Sequence, residues 1–138
     1  MKQGIKICGV YCGNEIGTFT VNRLQRFLGL PKNSRNALSN SADKIKMKRI
    51  WAREGINSPE FQVLNSPEDL NAALKKSSLK EDFILKPTLG SGSRGVQIIS
   101  RKTYTSFTKL WEQSMEPVKY EGQLLIEEYQ RGRHIDVN

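Results

Sequence analysis

The stretch Gly90-Ser91-Gly92-Ser93-Arg94-Gly95 constrains this chain more than any other. Its glycines fit G-x-G-x-x-G, a spacing used by several phosphate-binding loops. The flanking residues decide between them. Phe83-Ile84-Leu85-Lys86 precedes the loop and Val96-Gln97-Ile98-Ile99 follows it, and both read as strands. A dinucleotide fold needs these glycines to open a helix, so the context excludes it. A P-loop needs Gly-Lys-Ser/Thr at the end of the loop, and that is missing. What remains is two strands joined through a glycine tip.

Protein kinases cover ATP phosphates with such a hairpin. Glycines let backbone N–H groups approach phosphate oxygens, and Ser91, Ser93 and Arg94 would add donors. An ordinary flexible hairpin turn has the same composition, so the loop by itself leaves both readings open. Lys86 bears on the choice. Strand alternation places Phe83 and Leu85 on one face, with Ile84 and Lys86 on the other. An apolar contact for a base beside a cation for phosphate suits a nucleotide. The plainer alternative is a strand-end lysine reaching for water.

The rest of the chain divides by its turn and cap signals. Ile5–Tyr11 reads as a strand. Thr18–Leu28 reads as a helix with Val21, Leu24 and Leu28 on one face, closed by Gly29 and Pro31. Ser34–Ser41 reads as a short helical turn. Asp43 N-caps a helix to Glu54, with Met47, Ile50 and Trp51 as its apolar stripe. Phe61–Leu64 is a predicted strand, and Ser66-Pro67-Glu68-Asp69 starts a helix to about Lys76. Val96–Ser100 is a strand, Tyr104–Ser114 a helix carrying Phe107, Leu110 and Trp111, and Leu124–Tyr129 a strand. Ile135–Asn138 begins another strand. Residues 61–129 therefore read β-α-β-β-α-β, an α/β (α+β) lobe with one sheet covered by helices on one face.

Composition narrows the partners. The chain of 138 residues has a net charge of +8 and a pI near 9.7, which implies anionic partners such as nucleotide phosphate or nucleic acid. No nucleic-acid motif accompanies that charge. The lysines at Lys44–Lys48 and Lys75–Lys80 read as solvated helix faces. Cys8 and Cys12 lie four apart; on a strand that is ~13 Å, too far for a disulfide, so they read as reduced, partly buried thiols. With one histidine in the chain, a zinc site is not expected. No apolar run approaches the ~18 residues that span a bilayer, and the N-terminus lacks a signal peptide's apolar core. The expected compartment is the cytoplasm.

Taken in order, Asp43-Lys44, Gly55-Ile56-Asn57-Ser58-Pro59, Ser66–Leu70, Phe83–Pro87, Gly90–Val96, Leu125–Tyr129 and Gly132 resemble the ATP-grasp superfamily. Its members include biotin carboxylase, carbamoyl-phosphate synthetase and D-alanine–D-alanine ligase. The resemblance implies that Lys44 reaches the α-phosphate from the first lobe and that Lys86 bridges α- and β-phosphate oxygens. It implies that Gly90, Ser91, Gly92, Ser93, Arg94 and Gly95 close over the β- and γ-phosphates. Glu127, Glu128, Tyr129 and Gln130 match the hinge that meets adenine, with Glu127 near its amino group and the Gln130 N–H as donor. His134 stands where many members carry a glutamate for the ribose hydroxyls.

The same resemblance divides the chain into a first lobe with the end of a preceding domain (1–60), a complete lid lobe (61–126), and a hinge opening a truncated third lobe (127–138). It implies ATP as ligand and an unknown carboxylate as substrate, activated as acyl phosphate for attack by an amine. Magnesium is expected for the complete enzyme, on a Glu and a Glu-x-Asn past the hinge that this chain does not reach. The chain is therefore expected to resemble the middle of a larger enzyme and not to complete the reaction alone, with missing lobes or a second copy covering its apolar surface. The alternatives are a nucleotide-binding remnant with a regulatory or assembly role, and a basic nucleic-acid-binding module.

Overall fold

Leu124–Glu128 forms the best-sheltered strand of the molecule, with its first four residues buried. The computed structural model describes residues 4–76, 82–100, 102, 106–133 and 135. Three helices come first: α1 (Thr18–Phe27), α2 (Arg35–Ala42) and α3 (Lys44–Arg53). Then follow β1 (Phe61–Leu64), α4 (Pro67–Lys76), β2 (Phe83–Pro87), β3 (Gln97–Ile99), α5 (Phe107–Met115), a 3₁₀ turn at Glu116–Val118, and β4 (Leu124–Glu128). The sheet order is β1-β4-β2-β3, and every neighbouring pair is antiparallel. β4 thus lies between β1 (Leu64 opposite Leu124) and β2 (Leu85 opposite Ile126). This is the mixed helix-and-sheet fold predicted from the sequence.

Alternation along β2 and β4 sorts the two faces. Phe83, Leu85, Leu124 and Ile126 turn to one side, where Leu70, Ala73 and Leu74 of α4 and Leu110 and Met115 of α5 close the core. Phe107 and Trp111 pack against it. The spacing of Leu70, Ala73 and Leu74 is the i, i+3, i+4 stripe of a core-facing helix. Ile84, Lys86, Leu125 and Glu127 belong to the opposite face. There α3 approaches: its Lys48 meets Glu127, and the Lys44 N–H donates to Thr88 O at 3.1 Å.

Local signals placed most helix ends. Asp43 Oδ1 accepts from the N–H of Ile45 (2.9 Å) and Lys46 (3.3 Å). Ser34, Ser66 and Ser106 accept from the N–H groups of Ala37, Asp69 and Lys109. Past Gly55, the Ile56 N–H returns to Trp51 O at 2.8 Å, ending α3.

Several expectations are corrected. Ile5–Tyr11 is not a strand: no partner strand pairs with it among the described residues, and Ile5 and Tyr11 are 95% and 90% exposed. The strand-spacing argument for the cysteines lapses with it. Both are free thiols, and Cys8 is exposed. On α1, Leu24 and Leu28 are exposed, while Asn22 is buried and donates to Asn33 O at 2.8 Å. On α3, Met47, Ile50 and Trp51 are half-buried, and Ile45 and Lys48 are the buried residues. The lysine run is therefore not uniformly a solvated face. β3 is shorter than Val96–Ser100, and α5 starts at Phe107, after Ser106. The helix start at Tyr104, residues 77–80 and the strand after Ile135 lie outside the described residues.

Truncating Leu85, fully buried in β2, is expected to cost about 2–5 kcal/mol, whereas Leu24→Ala on the exposed side of α1 stays within about 0.5 kcal/mol. Urea unfolding of both variants checks this; equal shifts in midpoint would contradict the assignment of the core.

Candidate functional site

The glycine loop is tethered at its base. The Thr88 N–H donates to Gln123 O (2.8 Å), the Gln123 N–H donates to Thr88 Oγ1 (3.0 Å), and Lys44 Nζ donates to Gly90 O (3.1 Å). Within the loop, Arg94 Nε donates to Ser91 O at 3.3 Å. The glycines serve different needs. A Cβ at Gly95 would lie 2.1 Å from Ser114 O and 2.8 Å from Pro87 Cγ, on a backbone with φ of +72°. Gly95 is thus fixed by the approach of β2 and α5. Gly92 has φ of +65° and open space around it. Gly92, Ser93 and Arg94 are all exposed at the tip, where they are available to a ligand.

Beside the loop base lies a buried ionic cluster. Glu127 is 5% exposed on β4 and is bridged by two lysines. Lys86 Nζ donates to Oε1, and Lys48 Nζ stands 2.8 Å from Oε2. That second contact is an ion pair by distance, but Oε2 has no partner in hydrogen-bond geometry among the described residues, so charge rather than direction holds it. Lys48, 2% exposed, also donates to Pro59 O at 3.2 Å and lies 5.2 Å from the centre of the Phe61 ring. Lys44 completes the group. Burial pushes its ammonium below the usual lysine value, and the charge of Lys86 adds to that shift, while Glu15 and Asp43 oppose it. Two ammonium groups on one buried carboxylate leave one positive charge in excess at Lys48 and Lys86, while Lys44, tied to the glycine loop, has Glu15 and Asp43 as its nearby carboxylates.

A cavity of about 700 Å³ is lined in part by Lys44. Ile16, Phe19, Leu38 and Met47 give it apolar walls, Glu15 adds a carboxylate, and Gly90–Arg94 form its rim. It reaches neither Lys86 nor Glu127, so cavity and ionic cluster have Lys44 in common and are otherwise separate.

The remaining predicted residues fall around this centre. Ile84 is half-buried on the face shared with Lys86. Glu128 ends β4, and its N–H donates to Glu60 O. The Tyr129 N–H donates to Asp82 O, and Gln130 Nε2 donates to Glu128 Oε2 at 2.7 Å. The Glu127 carboxylate, assigned from the sequence to an adenine amino group, is here engaged by the two lysines. His134 lies outside the described residues. Lys48 is the residue that sequence reasoning missed. Its signal was its place one turn after Lys44, hence on the same helix face. Among the described residues, no group of three or more His, Cys, Asp or Glu side chains could hold a metal ion, and no helix is long and apolar enough to cross a membrane.

Residues 23–133 match the family model described as sugar-transfer associated ATP-grasp. A D-alanine–D-alanine ligase of Anaplasma centrale is 34% identical over 100 residues, covering 72% of this chain and 44% of that protein. One from Bordetella petrii is 26% identical over 120 residues, covering 86% and 35%. Among solved structures, D-alanyl-alanine synthetase A from Vibrio cholerae superimposes with a TM-score of 0.68 at 18% identity, covering 86% of this chain and 35% of that one. The biotin carboxylase domain of Hydrogenobacter thermophilus 2-oxoglutarate carboxylase gives 0.67 at 20% identity, covering 86% and 27%. At such identities the structural likeness speaks to the fold. The chain spans less than half the length of the curated relatives it matches.

Gly95→Ala is expected to lose about 2–4 kcal/mol of stability, since the new Cβ meets backbone, whereas Gly92→Ala loses about 1 kcal/mol from its positive φ alone. Thermal unfolding separates them; similar losses would show that Gly95 is not set by packing.

Proposed function

Because this chain belongs to the sugar-transfer associated ATP-grasp family, we propose that it binds ATP for a ligase that activates a carboxylate as acyl phosphate for attack by an amine. The observation that carries this reading is the pair Lys48 and Lys86 on the single carboxylate of Glu127, one ammonium in excess, with Lys44 tied to the glycine loop at Gly90. In this reading adenine lies against Ile84 and the hinge at Glu127–Gln130. The phosphates lie between Lys44 and Lys86, and Ser91, Ser93 and Arg94 supply donors above them. Holding the triphosphate from two sides fixes the line of phosphoryl transfer. His134 would stand at the ribose.

Phosphoryl transfer to a carboxylate also draws on magnesium, which neutralises developing charge. The described residues offer no acidic cluster that fits it, so no step is assigned to the metal here. A reaction fed by ATP places the chain in the cytoplasm. The lobe boundaries at 60/61 and 126/127 belong to the same proposal. So does a further lobe or second copy covering the exposed Ile5, Tyr11 and Phe27.

Isothermal titration of the chain with ATP tests the reading: saturable binding is expected, and Lys86→Met should weaken it at least about tenfold through loss of a charge-assisted contact. Absence of binding by the unaltered chain would sink it. The lowered Lys44 value adds a sign. On the alkaline side, below the ordinary value of 10.5, part of Lys44 is neutral in the free chain. A bound phosphate favours the ammonium, so ATP binding should take up protons there, and affinity should fall as pH rises. Titrations in buffers of different ionisation enthalpy read this directly, and Lys44→Met should abolish the Lys44 share of the uptake.

A further inference from the structure

Lys48 lies in no contact that a ligand could reach: its side chain is 3% exposed and enclosed by Glu127, Pro59 O and the Phe61 ring. Yet it shares a carboxylate with Lys86, the lysine nearest the glycine loop on β2. Resting on the ATP reading above, we infer that Lys48 is a positioning residue that keeps Glu127 from neutralising Lys86, so that Lys86 stays attractive to a triphosphate. The reasoning is electrostatic. One carboxylate facing one ammonium makes a neutral pair with little pull on an anion. The same carboxylate between two ammonium groups leaves a full positive charge over the pair. The low polarity around Lys48 strengthens its hold on Oε2 and thereby fixes the orientation from which Oε1 meets Lys86.

Geometry supports a fixed anchor rather than a mobile counter-ion. Lys48 is held by groups from two segments, β4 and the stretch entering β1. Lys86 retains 20% side-chain exposure on the same carboxylate. An incoming phosphate can therefore draw Lys86 away from Glu127, while Lys48 keeps that carboxylate paired and spares it the cost of standing alone in the interior.

The test measures dissociation constants for ATP and for adenosine, and reads their ratio, in the unaltered 138-residue chain, in Lys48→Met and in the double variant Lys48→Met/Glu127→Gln. In Lys48→Met the preference for ATP over adenosine should fall by roughly tenfold, because Glu127 then belongs wholly to Lys86. Adenosine affinity should be nearly unchanged. In the double variant the preference should return to the unaltered value or exceed it, since removing one charge of each sign restores a free Lys86. A purely structural role for Lys48 would weaken both ligands alike, and that result would overturn the inference. So would a double variant whose preference stays about tenfold below that of the unaltered chain, a comparison that stands even if Lys48→Met does not fold. If the unaltered chain binds no ATP, the ATP reading fails and this inference fails with it. If it binds ATP and Lys48→Met keeps the full preference, the inference alone fails.

Discussion

Glu127 places a carboxylate on an inner strand of the sheet with almost no access to water, and the arrangement around it follows from that placement. A lone buried carboxylate is strongly unfavourable, and a single partner would offset that cost only in part. Here α3 delivers Lys48 from one side and β2 delivers Lys86 in the same sheet. The contact between the first helices and the sheet is thus ionic at its centre, whereas the opposite face of the sheet is closed by aliphatic and aromatic side chains from α4 and α5. The two faces of one four-stranded sheet differ: area removed from water closes one, and the other adds to the buried Leu125 an ion-pair cluster with one ammonium in excess.

Much of α3 and of the stretch from β1 to β4 was legible because its signals are local. Ser66 and Ser106 cap helices, Asp43 caps α3, and the alternation of Phe83, Ile84, Leu85 and Lys86 sorted the faces of β2 before any partner strand was known. The early segment failed for the complementary reason. Ile5–Tyr11 has strand-forming residues, but a strand exists only with a partner, and composition carries no record of whether one is present. Likewise, Leu24 on α1 has helical periodicity without a described surface to bury it.

The site was legible in its loop and less so beneath it. Lys44 entered only through the resemblance to ATP-grasp proteins, whereas Gly90–Gly95 and Lys86 stand out by spacing and residue type. Lys48 did not, because a lysine within a basic helix ordinarily faces water, and only the pairing of α3 with β4 turns it inward. The glycines of the loop also proved unequal. Gly95 answers to the crowding of Ser114 and Pro87, whereas Gly92 faces open space, so one motif combines a packing requirement with a flexible tip.

Lys44 makes two ties to the same loop, and they differ in kind. Its main-chain N–H donates to Thr88 O, and its side-chain ammonium donates to Gly90 O two residues on. The first tie has no rotamer through which to let go. The second is a cation resting on a neutral carbonyl, and any anion in reach is a better acceptor. The loop is therefore fastened like a latch with one rivet and one catch: the tie at Thr88 does not involve Lys44 Nζ, while an anion at that ammonium would compete with Gly90 O alone.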